Sequence, residues 1–385
     1  MRKEKLDLTA EELRDKYRGC LIGGAVGDAL GYAVEFLGEE AIKKRYGDGG
    51  IREYKLVSGI AHISDDTQMT LFTANGLLLG KARAVAQTEM SAYHRYIALS
   101  YADWLRTQNE KYPLSGDTHS WLVNIPELFA PRAPGNTCLS ALEELKDGGF
   151  SSLGSTDSPI NRSKGCGGVM RVAPVGLYFG GKPVSIDEVD MLAAEAAAIT
   201  HGHELGYIPA AALAHIIHLI SHSGGVSLSD AVVDMIRAMK VLFPNVLHIG
   251  DFIRLMEKAA ELSQSDLSDI DAIGMLGEGW VAEETLAIAI FCALRYQNDF
   301  EGAVIAAVNH NGDSDSTGAV VGNILGAYLG MRAIPQKYLD TLELRSVILE
   351  LADDLYTDLP VTEDGIRGST WEEKYIKKTY IPKRV

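Results

Sequence analysis

Cysteine is scarce in this sequence, and no two cysteines form a CxxC pair. The four residues, Cys20, Cys138, Cys166 and Cys292, are scattered through apolar or glycine-rich surroundings. Disulfide-stapled secreted domains and thiolate zinc sites need more numerous or more closely spaced cysteines. The first segment, MRKEKLDLTAEELRDKY, is also too charged for a signal peptide. We therefore expect reduced thiols and a cytoplasmic protein.

Positive charge and long apolar runs are scarce as well. Lys and Arg number 36 against 52 Asp and Glu, which gives a net charge of -16. Such a field disfavours binding to nucleic acid phosphates. The longest apolar stretch, LGYIPAAALAHIIHLI, is short and contains Pro and His. We predict neither a nucleic acid partner nor a membrane span.

Alternating strand patterns are rare, whereas apolar residues recur at helical spacing along most of the chain. Thr9 followed by Glu12 predicts a capping box at the first helix. The best strand candidate, VAPVGLYF, is weakened by Pro174. No linker or shift in composition divides the chain. We predict one all-α domain over residues 1–385, with a motif core at about 15–330 and a C-terminal helical extension at 331–385.

Glycine recurs at every fourth position in two segments. The glycines are Gly19, Gly23, Gly27 and Gly31 in the first segment, and Gly318, Gly322, Gly326 and Gly330 in the second. Each glycine inside a helix costs roughly 1 kcal/mol, so the repetition needs a reason. A glycine stripe on one helix face lets another backbone approach closely. We predict two tightly packed core helices, and packing on each other is one arrangement that would explain both stripes.

Oxygen ligands cluster at the starts of two predicted helices. Ser64, Asp65 and Asp66 precede a helix expected to begin at about Thr67, with Asp66 near its N-cap. NHNGDSDSTG at 309–318 repeats the pattern with Asp313, Asp315 and Ser316. A single Asp pair is more often a simple helix cap, but two such clusters favour a shared site. Carboxylates and hydroxyls select Mg²⁺, Mn²⁺ or Ca²⁺ rather than Zn²⁺, and we predict a two-metal centre.

Other residues add weaker signals. Glu35 lies two turns after Asp28 and shares its helix face if the helix continues that far; otherwise Glu35 is expected to be exposed. The glycine-rich NRSKGCGGVMRVAP fits a phosphate cradle or a structural turn. His201 and His203 lie two positions apart and do not share a helix face. Trp280 is placed to stack on a base, although packing is the more common role.

Five motifs together resemble the ADP-ribosylglycohydrolase family. They are GCLIGGAVGDALGYAVEF, ISDDTQMTL, GCGGVMRVAPVGL, ITHGHELGY and NHNGDSDSTGAVVGNILGA. The resemblance covers roughly residues 15–330 and implies an orthogonal multi-helix bundle with two Mg²⁺ or Mn²⁺ ions. It implies hydrolysis of ADP-ribose from modified protein side chains, with an ADP-ribosylated protein as substrate and ADP-ribose as product.

The resemblance also assigns roles to single positions. Ser64, Asp65, Asp66, Asp313, Asp315 and Ser316 are implied metal ligands, and Asp65, Asp66 and Glu35 are implied catalytic residues. The implied substrate-binding residues are Ser163, Lys164, Gly165, Cys166, Gly167, Gly168, His201 and Trp280. Ala133 and Pro134 stand where the nitrogenase-regulating branch has an acidic residue.

The serines of SDDT and SDST look more like the arginine-specific branch of the family. We therefore predict cleavage of an arginine-linked N-glycosidic bond. A hydrolase of serine-linked or small ADP-ribose conjugates is the first alternative. A non-catalytic ADP-ribose-binding paralogue is the second, although all the expected acids are present. An unrelated two-metal phosphohydrolase is the third, and the glycine loop and motif order oppose it.

Overall fold

The computed structural model describes residues 8–83, 90–358, 361–362, 365–366 and 369–382. Nearly all regular structure within these ranges is helical, so the all-α prediction is confirmed. The α-helices are α1 (Ala10–Gly31), α2 (Glu39–Tyr46), α3 (Asp65–Arg83), α4 (Met90–Asn109), α5 (Asn136–Gly148), α6 (Ala173–Tyr178), α7 (Ile186–Ala198), α8 (Glu204–His222), α9 (Leu228–Leu242), α10 (Ile249–Leu262), α11 (Asp269–Gly274), α12 (Ala282–Arg295), α13 (Phe300–Val308), α14 (Ser314–Leu329), α15 (Gln336–Leu339), α16 (Arg345–Thr357) and α17 (Ser369–Glu372).

Shorter elements lie between and after these helices. Two-residue strands β1 (Val361–Thr362) and β2 (Gly365–Ile366) pair antiparallel, with Val361 opposite Ile366. Short 3₁₀ turns occupy Trp121–Asn124, Pro126–Phe129, Gly149–Ser152, Cys166–Gly168 and Met331–Ala333, and one π turn spans Glu373–Lys377. VAPVGLYF is helical and not a strand, because Pro174 lies in the first turn of α6, where a missing N–H breaks no helical bond.

Helix α1 begins with the predicted capping box. The Thr9 hydroxyl accepts the backbone N–H of Glu12 at 3.2 Å, and the Glu12 carboxylate accepts the backbone N–H of Thr9 at 2.8 Å. This exchange satisfies two N–H groups that a helix start would otherwise leave unpaired.

The glycine stripes bring α1 and α14 into backbone contact, antiparallel to each other. A Cβ added at Gly27 would lie 1.9 Å from the carbonyl oxygen of Gly318, and one at Gly23 would lie 2.3 Å from that of Gly322. Gly19 meets Gly326 in the same way, at 2.2 Å. The predicted close packing of the two helices on each other is confirmed, because no side chain larger than hydrogen fits between these backbones.

The stripe ends earlier than the sequence period suggests. Gly330 lies one residue beyond α14, with φ of 83°, and its N–H donates to the carbonyl of Gly326 at 3.0 Å. It is therefore a helix C-cap, a place where glycine takes the positive φ that other residues avoid. Gly31 is the last residue of α1 and faces the carbonyl of Ser314, so it still belongs to the packed seam.

Helix α8 contains the apolar stretch considered above. By length and composition alone it is the one helix among the described residues that is long and apolar enough to cross a membrane. However, 83% of its apolar window is buried inside the protein. Core helices of folded proteins show the same combination.

The four cysteines are free thiols, as predicted. The segment after residue 330 is partly helical and contributes α16, whose Val347, Ile348 and Leu351 are buried in the core. The single-domain organisation stays a prediction.

Candidate active site

Helix α3 starts at the first acidic cluster. Ser64 is the residue before the helix, and its Oγ accepts the backbone N–H of Asp66 at 3.2 Å. The predicted start at Thr67, with Asp66 as cap, is therefore wrong by about two residues. Ser64 performs the capping, which leaves the Asp65 and Asp66 carboxylates in the first turn free for other contacts.

Asp28, near the end of α1, fixes this helix start. Its carboxylate accepts the N–H of Ser64 at 2.8 Å, the N–H of Thr67 at 3.1 Å and the Thr67 hydroxyl. Burial raises the pKa of Asp28 to about 6, although these hydrogen bonds to the carboxylate lower it. Asp28 therefore positions α3 against α1.

The second cluster forms the start of α14. Asp313 is the N-cap, and its Oδ1 accepts the backbone N–H of Ser316 at 3.3 Å. Asp315 Oδ1 lies 3.1 Å from the same N–H. The N–H of Asp313 donates to the carbonyl of Glu278 at 2.8 Å, and Gly312, with φ of 128°, packs against that carbonyl. The loop before α12 thereby holds this helix start in place.

The two clusters meet, as predicted. Burial raises the pKa of Asp66 well above its usual value, with further contributions from Asp65, Asp28 and Asp313. Burial likewise raises the pKa of Asp315, with contributions from Asp66, Asp313 and Glu35. Carboxylates act on one another in this way only at short range in a buried setting.

Glu35 joins the site by a different route from the one predicted. Helix α1 ends at Gly31, so Glu35 does not share a helix face with Asp28. The following turn instead brings Glu35 back to the cluster, where it is only 8% exposed. Burial raises the pKa of Glu35 to about 8, and the charges of Asp313, Asp65 and Asp28 contribute. The alternative of an exposed Glu35 is wrong.

The cluster has the character of a cation site. Glu35 Oε2 and Asp66 Oδ2 are buried and have no hydrogen-bond partner. Buried, unpaired carboxylate oxygens are costly unless a cation or a proton compensates them. Among the described side chains, no three of these carboxylates have oxygen atoms that all lie within 4.8 Å of one another. The donor set therefore fits hard cations, but it is spread more widely than the shell of a single ion, and the predicted pair of divalent ions stays a prediction.

The glycine-rich segment lies beside the acidic cluster. Cys166 N–H donates to the carbonyl of Trp280 at 3.2 Å, and the Ser163 hydroxyl lies 3.2 Å from that of Thr137. The Lys164 ammonium pairs with Glu283 and is thus already partnered. Any phosphate held here would therefore contact backbone and hydroxyl groups more than a free lysine.

Cys166 connects this segment to the acids. Burial raises the pKa of its thiol well above the usual value, and the charges of Asp313 and Asp66 add to the effect. The thiol is therefore protonated and unreactive at neutral pH. Its contribution is steric and positional.

His201 lies directly against the glycine segment. A Cβ added at Gly167 would lie 2.9 Å from His201 Cε1, and one at Gly165 would lie 3.3 Å from Nε2. Burial, with the nearby charge of Arg171, lowers the pKa of His201 to about 3. The ring is therefore neutral, and Thr200 Oγ1, 2.8 Å from Nδ1, orients it.

Arg171 is a site residue without a role predicted from sequence, although it lies in the glycine-rich motif NRSKGCGGVMRVAP. It is fully buried, donates to Thr200 Oγ1 at 2.7 Å and to the carbonyl of Ala196 at 3.1 Å, and stacks on Tyr101 with its Cζ 4.4 Å from the ring centroid. It thereby supports Thr200 and, through it, the His201 ring. The sequence did carry a signal, because Arg171 lies inside an apolar run. Arginine is almost never fully buried unless partners bind its guanidinium.

A further loop connects the acids to the glycine segment. Asp65 N–H donates to the carbonyl of Arg132 at 3.0 Å, and Gly135 N–H donates to Asp65 Oδ2 at 3.3 Å. Thr137, two residues later, faces Ser163. The RAPGNT stretch therefore positions Asp65 through backbone groups.

Two exposed aromatic rings flank the site. Trp280 is 38% exposed and Phe36 is 72% exposed, and their rings stack at 6.1 Å with an angle of 19° between planes. Phe36 follows Glu35, and Trp280 accepts the N–H of Cys166. Phe36 was not predicted. An exposed aromatic pair beside a buried polar cluster is typical of a ligand-binding surface.

Comparison with known proteins identifies the family of this chain. The family model described as ADP-ribosylglycohydrolase matches residues 9–365. The chain belongs to the ADP-ribosylglycohydrolase family. Family membership supports a hydrolase that acts on ADP-ribose conjugates. It also agrees with the five motifs that the sequence analysis singled out.

The relatives carry several names. The chain is 26% identical to ADP-ribosylhydrolase ARH3 of Mus musculus, covering 85% of this chain and 87% of that protein. It is 25% identical to ADP-ribosyl-[dinitrogen reductase] glycohydrolase of Rhodospirillum rubrum, covering 88% and 94%. It is 24% identical to ADP-ribosylarginine hydrolase Tri1 of Pseudomonas putida, covering 93% and 82%. A solved structure described as an ADP-ribosylglycohydrolase-related protein complex matches with a TM-score of 0.63 and 26% identity over 90% of this chain and 99% of that chain.

Proposed function

We propose that this protein removes ADP-ribose from ADP-ribosylated arginine side chains of proteins, with two divalent cations, Mg²⁺ or Mn²⁺, as cofactors. One observation carries the proposal. The starts of α3 and α14 and the turn after α1 bring five buried carboxylates together beside the glycine segment and His201. That combination offers cation ligands and a diphosphate cradle in one place.

The metal ligands follow from the donor set. Ser64, Asp65 and Asp66 would hold one side of the centre, and Asp313, Asp315 and Ser316 the other. Bound there, the cations would neutralise the carboxylates and act as Lewis acids toward the ribose and water. The unpartnered oxygens of Glu35 and Asp66 support this assignment, because buried carboxyl oxygens without a hydrogen-bond partner are open to a cation.

The chain's own residues supply the remaining steps. Cleavage breaks the bond between the anomeric carbon of the ribose and the guanidine nitrogen, through an oxocarbenium-like state. Asp65 or Asp66 orients the attacking water and takes its proton, while the departing guanidine gains one. The segment Ser163–Gly168 holds the diphosphate by N–H and hydroxyl groups, and neutral His201 offers a hydrogen bond to the sugar.

Two observations favour arginine over a neutral leaving group. A guanidinium is cationic, and the site holds several buried carboxyl groups beside the stacked aromatic pair Phe36 and Trp280. Guanidinium groups bind well to aromatic faces and to carboxylates. Sequence identity to the relatives does not indicate which ADP-ribose linkage is cleaved. Tri1, which is named for ADP-ribosylarginine, matches at 24%, and ARH3, whose name gives no linkage, matches at 26%.

The decisive experiment compares two substrates. We would measure ADP-ribose release from arginine-ADP-ribosylated and serine-ADP-ribosylated proteins, each with Mg²⁺ and with EDTA. Metal-dependent release from arginine alone is the expected result. Release from serine alone would retain the centre but overturn the arginine assignment. Absence of release from both would leave small ADP-ribose conjugates or a binding role.

A matched pair of variants tests whether the stacked pair Phe36 and Trp280 binds the guanidinium. Trp280→Ala should raise KM for the arginine substrate about fivefold, because a lost cation–π contact is worth about 1 kcal/mol. kcat should change little, since an indole ring supplies no base and no cation ligand to the reaction. Trp371→Ala, which alters an aromatic ring remote from the site on the C-terminal segment, is the control and should leave KM unchanged. Equal KM values for Trp280→Ala and the wild type would remove the support for guanidinium binding at the Phe36 and Trp280 pair.

A further inference from the structure

A second cluster of metal-type ligands lies outside the acidic site. His203, Glu204 and His248 each offer a ligand atom, and these atoms all lie within 4.8 Å of one another. It is the one group of three or more His, Cys, Asp or Glu side chains within the described residues that meets this distance. All three side chains are half-buried, so an ion can reach them from solvent.

The cluster joins two helix starts that are far apart in sequence. His203 is the N-cap of α8, Glu204 is its first residue, and His248 is the N-cap of α10. The two imidazole rings stack at 5.4 Å with 26° between their planes. Glu204 lies between them, with Oε2 3.5 Å from His203 Nδ1 and Oε1 3.9 Å from His248 Nε2.

His248 is oriented as metal-binding histidines usually are. Its Nδ1 lies 3.1 Å from Asp251 Oδ2, and Asp251 is itself held by Arg254. A carboxylate on one ring nitrogen fixes the tautomer and leaves Nε2 with its lone pair directed at the ion. Nε2 is the atom that faces Glu204.

His203 needs a small adjustment to bind an ion. Its Nδ1 accepts the N–H of Leu205 at 3.0 Å, as a helix cap. A metal bound at Nδ1 would replace that hydrogen bond. Metal–nitrogen bonds of about 2.0–2.1 Å also place tetrahedral ligands about 3.3 Å apart, so separations of up to 4.8 Å between the ligand atoms must shorten by up to about 1.5 Å. Half-exposed side chains have the freedom to do so.

We propose that His203, Glu204 and His248 form a binding site for a Zn²⁺-type transition-metal ion that links the starts of α8 and α10. Two imidazoles and one carboxylate select Zn²⁺, Co²⁺ or Ni²⁺, whereas the all-oxygen acidic cluster selects Mg²⁺ or Mn²⁺. The fourth position remains open to water. The two sites therefore differ in the metals that they prefer.

The proposed metal site is in direct structural contact with the glycine segment. The backbone N–H of His203 donates to the carbonyl of Ser163 at 3.2 Å, and Gly206 packs against the same carbonyl. His201, two residues earlier, contacts Gly165 and Gly167. Fixing His203 would therefore fix one wall of the Ser163–Gly168 segment.

The test is a Zn²⁺ titration by calorimetry of the full chain, with excess Mg²⁺ present to fill the acidic cluster. The wild type should bind one equivalent. His248→Gln and Glu204→Gln should each weaken binding at least 100-fold, and Asp251→Asn should weaken it 10- to 100-fold. His119→Gln, at a partly buried histidine elsewhere, should bind as the wild type does.

A variant of the acidic cluster separates the two sites. Asp315→Asn should keep its Zn²⁺ equivalent, because it leaves the histidines intact. The proposal is overturned if the wild type takes up no Zn²⁺, or if His248→Gln and Glu204→Gln bind it as well as the wild type. It is also overturned if Asp315→Asn is the variant that loses the ion. Circular dichroism of each variant would confirm that the helices remain.

Discussion

The two ends of the α1–α14 pair treat charge in opposite ways. At one end, the turn after α1 and the first turn of α14 hold carboxyl groups whose pKa values are raised by burial and further by one another's charges. At the other end, Lys16 donates to the carbonyls of Ala327 and Tyr328 at 3.0 and 2.9 Å, which satisfies the last turn of α14. Arg14 and Arg18 both bind Asp353 on α16.

The difference separates a structural end from a functional one. Where stability alone is needed, the charges are paired and lie at or near the surface, and orphan carbonyls receive donors. At the end where we propose a cation site, the same helix pair and the turn after α1 leave carboxylates buried and oxygens unpartnered. Such an arrangement costs folding free energy unless a cation or a proton compensates it, which is typical of a functional site. The glycine seam between the two ends holds their geometry together.

The largest effect is expected at the acidic end. Asp66→Asn should lower kcat for ADP-ribose release roughly 10³-fold, since it removes a base and a cation ligand. The variant should fold normally, because the change relieves repulsion between buried carboxylates. Steady-state kinetics with Mg²⁺ would measure the loss, with the exposed Asp147→Asn as control. Wild-type turnover by Asp66→Asn would contradict the role of this acid.

The seam itself should be intolerant of a single methyl group. Gly27→Ala would place a Cβ 1.9 Å from a backbone oxygen of α14 and should destabilise the fold by about 3 kcal/mol or more. Gly274→Ala adds a methyl group to a helix where nothing lies within 4 Å, and it should be neutral or stabilising by up to about 1 kcal/mol.

Urea unfolding of both glycine variants would measure the contrast. Similar stabilities for the two would mean that α1 and α14 are not in backbone contact. Soluble but molten Gly27→Ala protein would still support the seam, provided that Gly274→Ala unfolds cooperatively.

Removing divalent ions should destabilise the acidic end specifically. If Mg²⁺ is present at 100 times its Kd, its removal costs about 2.7 kcal/mol. EDTA should therefore lower the melting temperature of the wild type, and Asp313→Ala should show a much smaller drop. A drop of the same size in both would locate the stabilising ion elsewhere.

The smallest effect is expected at the paired end. Although partial burial raises the pKa of Asp353, hydrogen bonds from Arg14 and Arg18 hold it below the usual value of 3.8. A lowered pKa in the folded state gives stability that is present above pH 3.8 and is lost as pH falls further. Asp353→Asn should thus cost about 1 kcal/mol at pH 7, with turnover unchanged.

The pH dependence of this cost is the check. The gap in urea stability between wild type and Asp353→Asn should be constant from pH 7 down to about pH 5. It should then narrow as the pH approaches and passes 3.8. A gap that widens on acidification would mean that the carboxyl form of Asp353, not the carboxylate, is the stabilising species.

Much of the architecture was readable from local patterns. Thr9 and Glu12 predicted the first cap, and the glycine period predicted the α1–α14 contact, because both signals depend on residues near one another in sequence. The acidic clusters were predicted to meet because each stands at a helix start with more carboxylates than a cap needs. VAPVGLYF was misread as a possible strand because Pro174 was weighed against a strand and not for a helix start.

Other features were beyond sequence reasoning. The turn after Gly31 carries Glu35 back to the acids, and no periodicity marks a reversal of that kind. Arg171 was visible, but its role depends on Tyr101 in α4 and on Ala196 and Thr200 in and just after α7. Phe36 and Trp280 stack across a gap of more than two hundred positions. His248 likewise approaches Glu204 only because α8 and α10 belong to one folded bundle.

The sequence by itself determined the helical class, the glycine seam, the chemistry of the acidic clusters and the family resemblance. These properties reside in residue types and short spacings, which set hydrogen bonding, side-chain volume and ligand hardness locally. Only the tertiary structure decided which carboxylates are buried without partners, which histidine is held neutral and which loops surround them. Burial and electrostatic coupling depend on distances between segments remote in sequence, and packing alone sets those distances.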